Sequence, residues 1–119
     1  MRVQVASYNI HRGVGRDGRY NPGRILRVLQ EVNADIVALQ EVDFPGPHPH
    51  HFLTWLAAQL GMTAVGGPVR TSAAGTYGNA LLTRYPVRNV RRWDLSVGRH
   101  EPRGALAADM LCQGAMIHV

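Results

Sequence analysis

Two short apolar runs constrain this chain more than any other feature: Val3-Gln4-Val5-Ala6-Ser7-Tyr8-Asn9-Ile10-His11 and Asp35-Ile36-Val37-Ala38-Leu39-Gln40-Glu41-Val42-Asp43. The first alternates with the period of a strand over residues 2–10, placing Val3, Val5 and Ser7 on one face. The second has an unbroken Ile-Val-Ala-Leu core over 35–41, the pattern of a strand covered on both faces. Between them lies a Gly-rich loop and then one stretch of helical period. Asn21-Pro22 opens it with an N-cap amide and a proline at the first helical position. Ile25, Val28, Leu29 and Val32 form its expected buried stripe. The unit reads strand, loop, helix, strand, and two such strands in one sheet bring Asn9 and Glu41 to a common edge.

The remainder is punctuated by Pro and Gly. Phe44-Pro45-Gly46-Pro47-His48-Pro49 cannot be regular structure. A second helix is predicted over 50–60, with Phe52, Leu53, Leu56, Ala57 and Leu60 inward and Gly61 as its stop. Strands are predicted over 62–66, 76–83, 86–95 and 103–111, which makes the fold class α/β. Ala115-Met116-Ile117-His118-Val119 reads as the opening of a further strand with no polar tail. Residues 1–119 are therefore expected to be the amino-terminal portion of a single longer domain.

Composition narrows the function classes. The formal net charge is +5, but all thirteen basic residues are Arg, and only Arg91-Arg92 are adjacent. Abundant Arg, Ala and Gly is the bias of GC-rich coding, and scattered arginines make no basic stripe, so charge is weak support for a nucleic-acid partner. No apolar run approaches the roughly 18 residues of a transmembrane segment. Arg2 leads into an alternating strand rather than the apolar region of a signal peptide. The single Cys112 excludes an internal disulfide and fits a reducing compartment, so a cytoplasmic location is expected.

Glu41 at a strand end beside the neutral oxygen of Asn9 offers what Mg²⁺ takes from protein, one carboxylate and few other ligands. The alternative is a structural pairing of Glu41 with one of the arginines. His11 is presented by the same strand end as Asn9, where a phosphate would lie. Gly13-x-Gly15-x-x-Gly18 has the form of a dinucleotide fingerprint. However, Arg19, Tyr20 and Asn21 intervene before the helix, so a surface loop is the better reading. His48, His50 and His51 are interleaved with proline, and read as an exposed turn rather than a zinc site.

Four segments occur in order: Ser7-Tyr8-Asn9-Ile10-His11, Asp35-Ile36-Val37-Ala38-Leu39-Gln40-Glu41-Val42, Gly78-Asn79-Ala80-Leu81-Leu82-Thr83-Arg84 and Glu101-Pro102-Arg103-Gly104-Ala105-Leu106. Together they resemble the amino-terminal half of the endonuclease/exonuclease/phosphatase superfamily, which is DNase I-like. The resemblance implies part of a four-layer α/β/β/α sandwich whose site opens at one end. It implies Glu41 as principal ligand of Mg²⁺, or of Mn²⁺ in its place, and Asn9 in the same site. Catalysis would then rest on Asn9, Glu41 and Arg103, with His11, Asn79 and Arg103 on the substrate side. The implied activity is metal-dependent hydrolysis of a phosphate ester, of which a lipid or sugar phosphodiester and a nucleic acid are the candidate substrates. The superfamily's Gly-Asp-x-Asn and Ser-Asp-His motifs do not occur here, and Asp109 and His118 stand in other contexts. The chain by itself is accordingly expected to be inactive, and to self-associate through exposed sheet edges. The competing class is a non-enzymatic nucleotide-binding or remnant module using the Gly13–Gly18 loop.

Overall fold

The computed structural model describes residues 2–44, 52–69 and 76–119. In chain order its elements are β1 (Val5–Asn9), a short 3-10 turn (His11–Gly13), α1 (Pro22–Val32), β2 (Ile36–Asp43), α2 (Phe52–Leu60), β3 (Thr63–Pro68), β4 (Tyr77–Thr83), β5 (Val87–Asp94), β6 (Gly104–Cys112) and β7 (Ala115–His118). Four strands form one sheet in the order β1-β2-β4-β3, with β1 parallel to β2 and the other pairs antiparallel. The other three form an antiparallel sheet in the order β5-β6-β7.

β1 and β2 lie side by side because α1 carries the chain back between them. Asn21 caps α1 by accepting a hydrogen bond from the Arg24 backbone N–H at 3.3 Å, and Asn33 ends it in the left-handed region. The helix turns a narrower face inward than its periodicity suggests. Ile25 and Leu29 are buried and Leu26 is partly so, but Val28 and Val32 are exposed. Leu26 takes the place expected of those two valines, so α1 is rotated relative to the predicted stripe. In α2 the inward set is as expected: Leu53, Leu56 and Ala57 are buried, with Phe52 and Leu60 packed beside them. The predicted turn at His48, His50 and His51 lies outside the described residues.

Two cores follow from the alternation in β2 and β4. Val37, Leu39, Ala80 and Leu82 face α1 and α2, while Ile36 and Leu81 face the second sheet and meet Ala108 and Met110 of β6. β2 is thus covered on both sides, as its sequence requires. The layers run helices, sheet, sheet: three of the four in the expected sandwich among the described residues. The β6–β7 hairpin turns through Gln113 and Gly114, both at positive φ, the geometry favoured for two-residue hairpins.

The sheets are offset. Arg92 of β5 donates to the Gly66 carbonyl oxygen of β3 at 2.7 Å, and Asn79 of β4 donates to the Gly104 carbonyl oxygen of β6 at 3.1 Å. β5 thus lies over β3, and β6 over β3 and β4. In β1, Val5, Ser7 and Asn9 alternate with the partly buried Ala6 and Tyr8 and are exposed.

Candidate active site

The site is built at the carboxyl ends of the parallel pair. Asn9 ends β1 opposite Gln40 of β2. Strict alternation would send Glu41 toward the helices, but the ladder with β4 shifts register between Leu39 and Val42, and Glu41 has φ 55°. This is a β-bulge, which inserts one residue and re-aims side chains. Leu39 and Val42 both stay buried in the helix-side core, and Gln40 and Glu41 between them both reach a cavity of about 390 Å³.

Glu41 is held from two directions. Asn9 Nδ2 donates to its Oε1 at 3.3 Å, and His11 Nδ1 lies 3.2 Å from its Oε2. Asn9 Oδ1 in turn accepts the His11 backbone N–H at 3.0 Å, fixing the amide between strand and turn. His11, Arg12 and Gly13 follow one another at positive φ (49°, 55° and 82°). Two non-glycine residues in the left-handed region are strained, a condition that persists only where the surroundings hold it. Gly13 is required there, since a Cβ would come within 2.6 Å of the Tyr20 ring.

The opposite wall carries two arginines, each paired with a carboxylate. Arg103, at the head of β6, donates from Nη2 to Glu101 at 2.9 Å and from Nη1 to the Pro102 carbonyl oxygen at 3.2 Å. Arg12 donates from Nε to Asp43 at 2.5 Å, and its guanidinium lies 5.3 Å from the centroid of the Tyr77 ring. Tyr77 Oη donates to the Pro102 carbonyl oxygen at 2.9 Å and so fastens β4 to the loop bearing Arg103. The Arg103 hydrogen bond holds Glu101 below the usual carboxylate range. Burial, then the neighbouring Glu101, pushes the Tyr77 phenol up, so it stays a neutral donor.

Asn9, Glu41, Asn79 and Arg103 therefore line one cavity, and His11 stands beside Glu41 at its rim. Asn79 reaches it from β4 while tying the two sheets together. Arg12, Gln40, Tyr77 and Glu101 also line the cavity, and sequence reasoning assigned them no role. A signal for Gln40 was available: Leu39 and Val42 are apolar three positions apart, which a period of two cannot place on one face. Among the described residues no group of three or more His, Cys, Asp or Glu side chains is gathered as a metal cluster. The hard oxygen donor on the Asn9 side is the Glu41 carboxylate, since Asn9 Oδ1 is taken up by the His11 backbone N–H and Nδ2 faces Glu41. A single carboxylate fits a Mg²⁺ ion that keeps most of its water.

The Gly-rich loop is arranged differently from a phosphate cradle. The backbone N–H groups of Gly13, Val14, Gly15 and Gly18 donate to Ile10, His11, Arg19 and Gly15 carbonyl oxygens, and that of Arg19 donates to Asp17. These amides are used within the loop.

The profile of the Endonuclease/Exonuclease/phosphatase family matches residues 6–109, which span β1 through most of β6 and every residue of the cavity. The chain belongs to this family. It is 32% identical to the uncharacterized protein YbhP of Escherichia coli over 98% of its own length and 51% of that protein's. The chain thus spans about half the length of this relative. Among solved structures it superimposes with a TM-score of 0.76 on an endonuclease/exonuclease/phosphatase from Beutenbergia cavernae, at 23% identity, covering 98% of this chain and 37% of that one. The human Nocturnin catalytic domain, solved with a bound sulfate anion, matches with a TM-score of 0.73 at 23% identity, covering 98% and 47%. The family resemblance and the fold class read from sequence both stand, and both neighbours are longer than this chain.

Proposed function

We propose that this chain carries the metal-side and anion-side walls of a Mg²⁺-dependent phosphodiesterase site. The observation that supports it most is the bulge that turns Glu41 out of the core, brackets it with Asn9 and His11, and sets it across one cavity from Arg103. Glu41 would hold Mg²⁺ with Asn9 positioning that carboxylate, and the ion would supply polarisation of a phosphoryl oxygen and neutralisation of the leaving oxygen. Arg103 offers its guanidinium to the developing charge on the phosphate. Tyr77 and Glu101 hold that guanidinium in place, and His11 stands where it can donate to a phosphate oxygen. Asp43 is paired with Arg12 and Glu101 with Arg103, so neither is free to activate water. The attacking water is activated by a group outside this chain, and the chain by itself turns over little substrate.

Among substrates, a lipid or sugar phosphodiester fits better than a nucleic acid. The cavity offers Arg12 and Arg103, and both are already engaged by carboxylates. A nucleic-acid ligand held on many phosphates loses affinity steeply with salt. A shallow salt dependence of binding is therefore expected.

Calorimetric titration with MgCl₂ tests the reading without requiring turnover. One site is expected in the parent chain, lost in Glu41→Gln and kept in Arg103→Gln. Equal Mg²⁺ binding by the parent and Glu41→Gln removes Glu41 from the metal site.

A further inference from the structure

We infer that Glu101 sets the charge preference of the cavity, admitting the monoanion of a phosphodiester over the dianion of a phosphate monoester. The inference rests on the reading above, in which Arg103 receives the phosphate. Glu101 and Arg103 are two residues apart just before β6, and their 2.9 Å contact is made through one nitrogen, Nη2. Arg103 Nη1 is taken up on its other side by the Pro102 carbonyl oxygen and Tyr77 Oη, at 3.2 and 3.5 Å. These contacts engage three of a guanidinium's five N–H donors, so a phosphate oxygen can share Arg103 with Glu101 rather than replace it. Pro102 keeps the Glu101 backbone extended, and Tyr77 Oη ties Pro102 down. The carboxylate therefore stays on the cavity wall although its side chain is 59% exposed. Hydrogen bonds, first with Arg103 and then with Tyr77, hold Glu101 below the usual carboxylate range, so it is anionic at neutral pH.

A fixed negative charge beside an anion site does not repel all phosphates equally. A diester carries one negative charge at neutral pH, and an alkyl monoester close to two. In the nearly aqueous surroundings of this pair, a carboxylate about 6 Å from the phosphorus weakens binding roughly threefold per unit of ligand charge. The penalty is then about threefold for the diester and about tenfold for the monoester. It opposes the preference that Arg103 and a metal ion at Glu41 would create, since both attract the dianion more strongly. The same penalty falls on the product of diester hydrolysis. Water adds to phosphorus and the P–O bond to the leaving alcohol breaks. The alcohol departs with one proton, and the monoester left behind loses the other. A dianion then stands where a monoanion was bound, and Glu101 favours its release.

Titration of the whole chain with dimethyl phosphate and with methyl phosphate tests this. Amide shifts would be followed by NMR in metal-free buffer of low salt, above about pH 8, where the monoester is fully ionised. Glu101→Gln keeps an oxygen for Arg103 and removes the charge. It should tighten methyl phosphate about threefold more than dimethyl phosphate. Glu31→Gln removes the same charge from an exposed position on α1, outside the cavity lining, and should change neither. Arg103→Gln should weaken both. Equal effects of Glu101→Gln on the two probes, or the same selectivity change in Glu31→Gln, overturn the inference and leave Arg103 as the phosphate ligand. If the parent chain binds neither probe, or Arg103→Gln binds both as well as the parent does, the reading beneath the inference falls with it.

Discussion

Gly78→Ala puts the packing beneath the site to a direct test. Gly78 lies in β4 opposite Pro68 of β3, and a Cβ there would sit 2.2 Å from the Gly67 carbonyl oxygen and 3.0 Å from Pro68 Cα. Both obstacles are backbone, so no side-chain rotation relieves them. Ordinary contact between nonbonded heavy atoms is about 3.5 Å, so β3 must retreat by roughly 1 Å. That movement takes the adjacent ladder hydrogen bonds beyond the roughly 3.2 Å at which they are effective. Losing about two such bonds at about 1 kcal/mol each agrees with the ~1–3 kcal/mol cost of overpacking. The expected destabilisation is about 2–3 kcal/mol, a fall in Tm of roughly 10 °C for a chain of this size. Urea melts followed by circular dichroism would measure it, with the slope unchanged if only stability moved. Gly15→Ala is the matched control, because its Cβ meets only the end of a side chain, the Arg24 guanidinium paired with Asp17, nearest at 2.7 Å. Displacing that exposed pair should cost no more than about 1 kcal/mol. If Gly78→Ala melts no lower than Gly15→Ala, the close approach of β3 and β4 is not as described.

Two further predictions concern titration. Asp109 lies 2.5 Å from His118 Nδ1, and this hydrogen bond, with a second from Asn89, holds its carboxyl below the usual range. A depressed acid contributes stability that is complete above about pH 4 and is lost as pH falls through the folded-state value. Asp109→Asn should flatten the acid limb of the stability curve, and an acid limb unchanged by the substitution would contradict the pairing. Tyr85 is pushed up to about 12, first by its hydrogen bond to the buried Cys112 and then by desolvation. A raised phenol contributes stability below about pH 10 that is lost as pH rises toward the folded-state value. Tyr77 and Tyr20 are also raised, so ultraviolet titration should show several late phenols of which the last is missing in Tyr85→Phe; its persistence in that variant would assign it to another tyrosine.

Much of the fold was legible because its signals are local. Asn21-Pro22 marked the start of α1, and the doubly apolar core of β2 announced cover on both sides. The site was legible only as far as strand ends could be placed, which brought Asn9 and Glu41 together and, through the family motifs, Asn79 and Arg103. Tyr77 and Arg12 were missed because their meeting depends on the turn at His11–Gly13 and on the register of β4 with β2, which are tertiary facts. The rotation of α1 had the same origin. Val28 and Val32 satisfy helical spacing as well as Leu26 does, and only the surface they pack against decides between them.

The extra residue in β2 separates two demands that a regular strand would couple. In an unbroken strand every second side chain belongs to the core, so changing the chemistry of one position constrains the packing of its neighbours. With Leu39 and Val42 keeping the core on either side, positions 40 and 41 are released from that alternation together. The pair can be rewritten without repacking a single helix contact. Deleting one of the two would restore regular alternation, with the leucine and the valine two positions apart on the core face and a single polar side chain between them. The extra residue is what gives this rim two polar side chains where a regular strand would present one.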